Sequence, residues 1–118
     1  MNPRLDESQV PEPVLEDFPG FIKLYWKAWE YARNHVYQRA DIPQSPYMDE
    51  ALHPDTIWIW DTCFMTFYCK YAPQYFPGIE SLNNFYLSLY DGVDTSLKIQ
   101  HVDNPPLFAW AEWEYFKF

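Results

Sequence analysis

Two short steps place an imidazole two residues from a carboxylate, His53-Pro54-Asp55 and His101-Val102-Asp103, and each could supply half of a metal site. No helical spacing ties the halves together, so loop hydrogen bonding is their expected role and no metal is expected. Asp91-Gly92-Val93-Asp94 lacks the acidic ladder and terminal Glu of a calcium loop. No Gly-rich phosphate cradle, nucleophile elbow or His-Glu-x-x-His helix occurs, and no cofactor is expected. Cys63 sits in an apolar stretch without a nearby histidine, where burial would raise its pKa and keep it from acting as a nucleophile. Glu112 and Glu114 are two apart and project to different sides of a helix, so they are not a working acid–base pair. Glu80 is expected as a first-turn charge at the positive end of its helix. What remains is Trp58-Ile59-Trp60-Asp61, a carboxylate set among flat aromatic surfaces, with Tyr47, Trp110 and Trp113 adding more such surface. Each also has a plainer role: the tryptophans as core aromatics, Asp61 as the cap of the helix that follows.

Composition narrows what such a site can serve. The chain has 118 residues and a net charge of -9, with 8 Lys and Arg against 17 Asp and Glu. No basic stripe is available to neutralise phosphates, which argues against a nucleic-acid partner. No apolar run approaches the roughly 20 residues needed to cross a bilayer, and no membrane partner is expected. The first ten residues, which include Asp6 and Glu7, lack the basic start and apolar stretch of a signal peptide. Cys63 and Cys69 lie in one helical stretch, where six residues rise about 9 Å and turn about 240°. That exceeds the roughly 7 Å over which two Cα atoms can be bridged, so both are expected as free buried thiols, which fits a reducing compartment.

The elements that must position these residues follow from the apolar spacing. Residues 1–17 hold three prolines, five acids and no aromatic, and are expected as an extended, solvated lead-in to a unit spanning 18–118. Ile22, Tyr25, Trp29, Ala32 and Val36 recur at spacings of three and four, which predicts a helix over about 19–37, with Asp17 as cap and Pro19 in its first turn. Residues 39–56, interrupted by Pro43, Pro46 and Pro54, read as a long ordered loop that packs over something. Residues 60–72 form a helix apolar on nearly every side, which neighbours must surround. A short helix follows over 81–89, broken by Asp91-Gly92. A last one over 107–118 is opened by Pro105-Pro106, with Asn104 as cap. The pattern predicts an all-α fold of antiparallel helical hairpins. The flanking helices are too short or too narrow-faced to wrap the second completely, and the last carries Trp110, Trp113, Phe116 and Phe118. A piece of a larger helical domain, or an assembly of several copies of the chain, is therefore expected.

Three segments carry a resemblance: Ile57-Trp58-Ile59-Trp60-Asp61-Thr62-Cys63-Phe64, Phe76-Pro77-Gly78-Ile79-Glu80-Ser81 and Asp103-Asn104-Pro105-Pro106-Leu107-Phe108-Ala109-Trp110. Together they resemble the first hairpins of six-hairpin glycosidases, the (α/α)6 toroids of trehalase-like and glycoside hydrolase family sixty-three enzymes, over most of residues 20–118. The resemblance implies an incomplete toroid, hydrolysis of O-glycosidic bonds by inversion, and a carbohydrate partner completed by the remainder of the barrel. Trp60 and Asp61 match the family's Trp-Asp step, which holds the sugar where the bond is cut. Asn104, Pro105 and Pro106 match a later step in which trehalases carry Gln. The substrate-binding residues so implied are Trp60, Asp61, Trp58, Asn104 and Trp110.

A sugar presents hydroxyls at its rim and weakly apolar C–H faces, so it calls for carboxylates or amides beside aromatic surfaces. Inversion requires two carboxyl groups about 6.5–9.5 Å apart. The family's general acid and base lie on later segments with no counterpart here, so the chain alone is expected to be inactive. The rival expectation is a non-catalytic carbohydrate-binding or protein-interaction module, in which the aromatics face a partner and the acids keep the chain soluble.

Overall fold

The computed structural model describes residues 5–50, 56–93, 98–100 and 107–118. The protein is mostly helical. Its helices are α1 (Pro19–Asn34), α2 (Ile59–Cys69), α3 (Gly78–Leu89) and α4 (Phe108–Phe116), and four short strands are interspersed, β1 (Val36–Tyr37), β2 (Tyr47–Met48), β3 (Thr56–Trp58) and β4 (Lys98–Gln100). The strands form two small sheets absent from the all-α expectation. β1 pairs antiparallel with β2, Val36 opposite Met48. β3 pairs parallel with β4, Thr56 opposite Lys98 and Trp58 opposite Gln100.

Helix α1 stops at Asn34 rather than near 37 because Val36 and Tyr37, both good strand formers, leave to pair with β2. Its N-cap is Phe18, which makes no side-chain cap bond, so Asp17 does not have the capping role expected of it; Pro19 occupies the first turn as anticipated. Helix α2 has Trp58 as its extended N-cap, which places Asp61 inside the first turn rather than at the cap. Past Cys69 the chain continues as tight turns, with the Tyr71 and Ala72 N–H groups donating to the Tyr68 and Cys69 carbonyls at 3.1 Å each. Helix α3 begins one turn earlier than the Pro77-Gly78 punctuation suggested. Gly78 is admitted there because a Cβ would stand 2.7 Å from Cys69 Cβ, so only a residue without a side chain allows α3 to approach α2 so closely.

The segment between α1 and α2 packs as expected, with Ile42, Tyr47, Met48 and Ile57 all buried. It is held to α3 by hydrogen bonds as well as by apolar contact. Met48 N–H donates to Ser81 Oγ at 2.7 Å, Gln44 N–H donates to Asn84 Oδ1 at 2.9 Å, and Asn84 Nδ2 donates back to the Gln44 carbonyl at 2.9 Å. The described part of the amino-terminal lead-in is mostly exposed, but it is tied to the fold at a few points. Asp6 caps a single 3-10 turn over Glu7–Gln9, Val10 is buried beside Trp29 and Phe76, and the Tyr25 hydroxyl donates to the Pro11 carbonyl. One valine supplies the apolar anchor that the acids around it do not, a burial that stabilises by about 1.5–3 kcal/mol.

Helix α2 contributes to two cores. Ile59 and Cys63 join Ile42, Tyr47, Leu82, Phe85 and Ala111, whereas Cys69 joins Val10, Trp29, Met48, Ala72 and Phe76. The rest of its surface is not covered among the described residues: Trp60, Phe64 and Tyr71 are all about two-fifths exposed. The helix expected to be surrounded is thus buried only on the sides facing its neighbours in this chain.

Helix directions follow from which residues meet. Thr66 hydroxyl approaches the Gly78 carbonyl while Cys63 packs with Leu82 and Phe85, so α3 runs antiparallel to α2. Phe67 meets Trp110, Lys70 Nζ donates to the Glu114 carbonyl at 3.1 Å, and Tyr71 meets Phe118, so α4 runs parallel to α2.

Candidate functional site

Trp58, Trp60 and Asp61 stand together at the amino-terminal end of α2, where β3 delivers the chain into the helix. Successive helical positions are about 100° apart, so Trp60 and Asp61 begin two different faces. Trp60 heads the stripe Trp60, Phe64, Phe67 and Tyr71, while Asp61 heads the stripe Asp61, Met65 and Tyr68.

The Trp60 stripe joins α4 in a continuous aromatic band. Trp60 and Phe64 have ring centroids 5.5 Å apart, Phe64 and Trp110 6.3 Å, and Phe67 and Trp110 4.7 Å. Two of the tryptophans singled out in the sequence, fifty positions apart, thereby share one surface. Trp110 is 48% exposed and Trp60 38%. Beside the band lies an open groove of about 440 Å3, lined by Phe64, Phe67, Tyr68, Tyr71, Trp110, Lys70 and Glu114. Glu114 accepts from Lys117 Nζ at 2.6 Å, and that bond holds its carboxyl below the usual carboxylate range. The groove therefore offers flat apolar walls with a cation and an anion at its edge, a combination suited to a ligand with apolar faces and a polar rim.

Met65 and Tyr68 of the second stripe, but not Asp61 itself, line a different cavity, of about 480 Å3, between α1 and α2. Tyr25, Trp29 and Tyr31 of α1 and Tyr68 of α2 form its aromatic walls, and His35 and Glu50 are its polar groups. His35 Nδ1 lies 2.9 Å from the Asp49 carbonyl, which ties the end of α1 to the end of β2. Glu50 was not singled out in the sequence. Both its carboxyl oxygens are buried without a hydrogen-bond partner of normal geometry among the described residues. Burial, followed by the charge and hydrogen bonding of the Asp49 side chain and then the charge of Asp61, raises its pKa to about 7. A faint signal existed: the Asp49-Glu50 pair directly follows Tyr47-Met48, whose apolar character already implied burial.

Comparison with protein-family models, curated proteins and solved structures finds no match.

The remaining residues sort by position. Trp58 is half-buried as the N-cap residue of α2. Asn104, and with it the two His–Asp steps at His53-Asp55 and His101-Asp103, lies outside the described residues. Among the described residues no group of three or more His, Cys, Asp or Glu could hold a metal ion, and no helix is long and apolar enough to cross a membrane. Both cysteines are free and buried. Burial, then the charge of Glu112, pushes the Cys63 thiol up to about 11, and burial also raises Cys69, so neither is an activated nucleophile. Glu112 bonds the Tyr86 hydroxyl on α3 whereas Glu114 turns to Lys70 and Lys117, so the two do project to different sides of α4. Glu80 lies in the first turn of α3.

Proposed function

We propose that this chain forms the first hairpins of a six-hairpin glycosidase, an (α/α)6 toroid that hydrolyses O-glycosidic bonds by inversion. The observation that carries the proposal is the order of helix directions. α2 and α4 lie side by side and parallel, and α3 returns antiparallel between them in sequence. Successive inner helices of a toroid built from hairpins relate in that way, with each outer helix as the return path. The exposed aromatic band of α2 and α4 then belongs to the inner wall. The amino-terminal end of α2, bearing Trp58, Trp60 and Asp61, lies at the mouth, with Trp110 contributing from the next hairpin. In this arrangement Asp61 accepts hydrogen bonds from sugar hydroxyls and the tryptophans pack against the ring faces. The chain's own carboxyls are assigned binding roles, and the general acid and base are assigned to later segments of the barrel.

The test is Asp61→Asn in the full-length product of the reading frame, assayed by reducing-sugar release from a panel of glucosides and mannosides. A fall in kcat/KM of at least tenfold supports the assignment. Unchanged kcat/KM, or no glycoside hydrolysed by the unaltered protein, overturns it.

A second reading is favoured by the exposure of α4, where Trp113, Phe116 and Phe118 are more than half exposed. In it the chain is a non-catalytic module whose aromatic face meets a carbohydrate or another protein. A monomeric, cooperatively melting chain in the ultracentrifuge and calorimeter supports that reading.

A further inference from the structure

The cavity between α1 and α2 offers an occupant no charge to pair with. Its walls are almost wholly apolar, and no lysine or arginine lines it among the described residues. Glu50 borders it, but both carboxyl oxygens are sealed from any occupant and the group interacts with its neighbour Asp49. A charged ligand would therefore lose its hydration without gaining a partner. The aromatic wall has a definite geometry. Trp29, only 7% exposed, meets Tyr25 and Tyr68 edge to face, with centroids 6.1 Å from each and planes at 80° and 85°. A further flat ring placed in that corner extends the same edge-to-face packing, and Met65 adds a polarisable thioether to the lining.

The imidazole in the wall is oriented by its neighbour. His35 Nδ1 lies 2.9 Å from the Asp49 carbonyl, and a carbonyl only accepts, so Nδ1 carries the hydrogen and Nε2 of the neutral ring carries a lone pair. The ring nitrogen left for a ligand is thus an acceptor and calls for a donor. The Tyr25 hydroxyl is already committed to the Pro11 carbonyl. We propose that this cavity binds a small neutral phenol, its ring in the corner formed by Trp29, Tyr25 and Tyr68 and its hydroxyl donating to His35 Nε2. The volume of about 480 Å3 falls within the range of small-molecule sites. The cavity shares only Tyr68 with the aromatic groove between α2 and α4, so the site stands or falls independently of the glycosidase proposal.

The experiment is an amide-resolved NMR titration of the full chain at about pH 8 with p-cresol and with toluene, which has the same ring and methyl group without the hydroxyl. At that pH an ordinary imidazole is neutral and p-cresol keeps its phenolic proton, which leaves near about pH 10. Saturable shifts are expected around Trp29 and at Met65 and Tyr68, with p-cresol held at least about threefold more tightly than toluene, the effect of one net hydrogen bond. A plain apolar hollow ranks the two the other way, because toluene gains more by leaving water. His35→Phe is expected to remove the preference for p-cresol. Ala28→Trp, at an exposed position of the lining, is expected to block both compounds and tests the location should His35→Phe fail to fold. Toluene bound as tightly as p-cresol, a preference undiminished in His35→Phe, binding undiminished in Ala28→Trp, or saturation by neither compound overturns the proposal.

Discussion

Phe67 and Trp110 meet edge to face, their centroids 4.7 Å apart and their planes at 61°, and this contact fastens α4 alongside α2. Phe67 is partly buried against the core that contains Cys63 and Phe85, so removing its ring loses both area and the aromatic pairing. Phe67→Ala is expected to lower the free energy of unfolding by about 2–3 kcal/mol in urea titrations. A loss below about 0.5 kcal/mol, the range of ordinary surface substitutions, contradicts the role given to this pair.

Two glycines at helix starts should respond oppositely to the same substitution. At Gly78 an added Cβ meets Cys69 Cβ at 2.7 Å, whereas at Gly20 it meets nothing within 4 Å. Gly78→Ala is expected to destabilise by about 1–3 kcal/mol, because α3 must move off α2. Gly20→Ala should be neutral or stabilise by up to about 1 kcal/mol. Comparing the midpoints of thermal unfolding of the two variants checks the contrast.

Glu50 gives the protein a titration that runs against the usual carboxylate direction. Its pKa in the folded state, about 7, lies above its ordinary value of 4.5. Between those limits the folded form binds more protons than the unfolded form, so this group's contribution to stability falls as pH rises through the window. Glu50→Gln should therefore be more stable than the unaltered protein at about pH 8, with the difference shrinking towards about pH 4.5. A difference that does not vary with pH contradicts the burial of this carboxyl.

Ser81 links α3 to β2 through a buried bond. Its hydroxyl accepts from Met48 N–H at 2.7 Å and donates to the Pro77 carbonyl. Ser81→Ala leaves the Met48 amide buried without that acceptor and is expected to cost about 1–3 kcal/mol. Faster amide exchange at Met48 in the variant would locate the loss at this bond.

The two thiols should be inert in the native protein. Both are buried, and burial raises both above the usual thiol range. Native chain at about pH 8 should resist iodoacetamide, and addition of denaturant should expose both to alkylation. Rapid labelling of native Cys63 contradicts the packing described for α2.

Much of the helical framework was legible because it rests on local spacing. The face of α1 is visible in Tyr25, Trp29 and Ala32, and the apolar circumference of α2 in Trp60 through Cys69. Pairings between distant residues were not. Val36 and Tyr37 continue the helical period of α1, and only their partners at Met48 and Tyr47 reveal them as a strand. Gly78 reads as a turn until Cys69 is placed against it. At the site, the sequence singled out Trp60 and Trp110, which the fold brings into one aromatic band. It also set Trp60 beside Asp61 as if they faced one way, whereas helical geometry sends them to different faces. Glu50 escaped notice because its character comes first from burial, which the fold alone supplies, and only then from its neighbour Asp49.

The parallel pairing of Thr56 with Lys98 has a kinetic consequence. Roughly forty residues, including all of α2 and α3, separate the partners, so joining them closes a large loop whose entropy cost precedes any gain from the bonds themselves. A ladder of this kind zips only after the helical hairpin has assembled, and it is the natural place for the structure to begin to come apart.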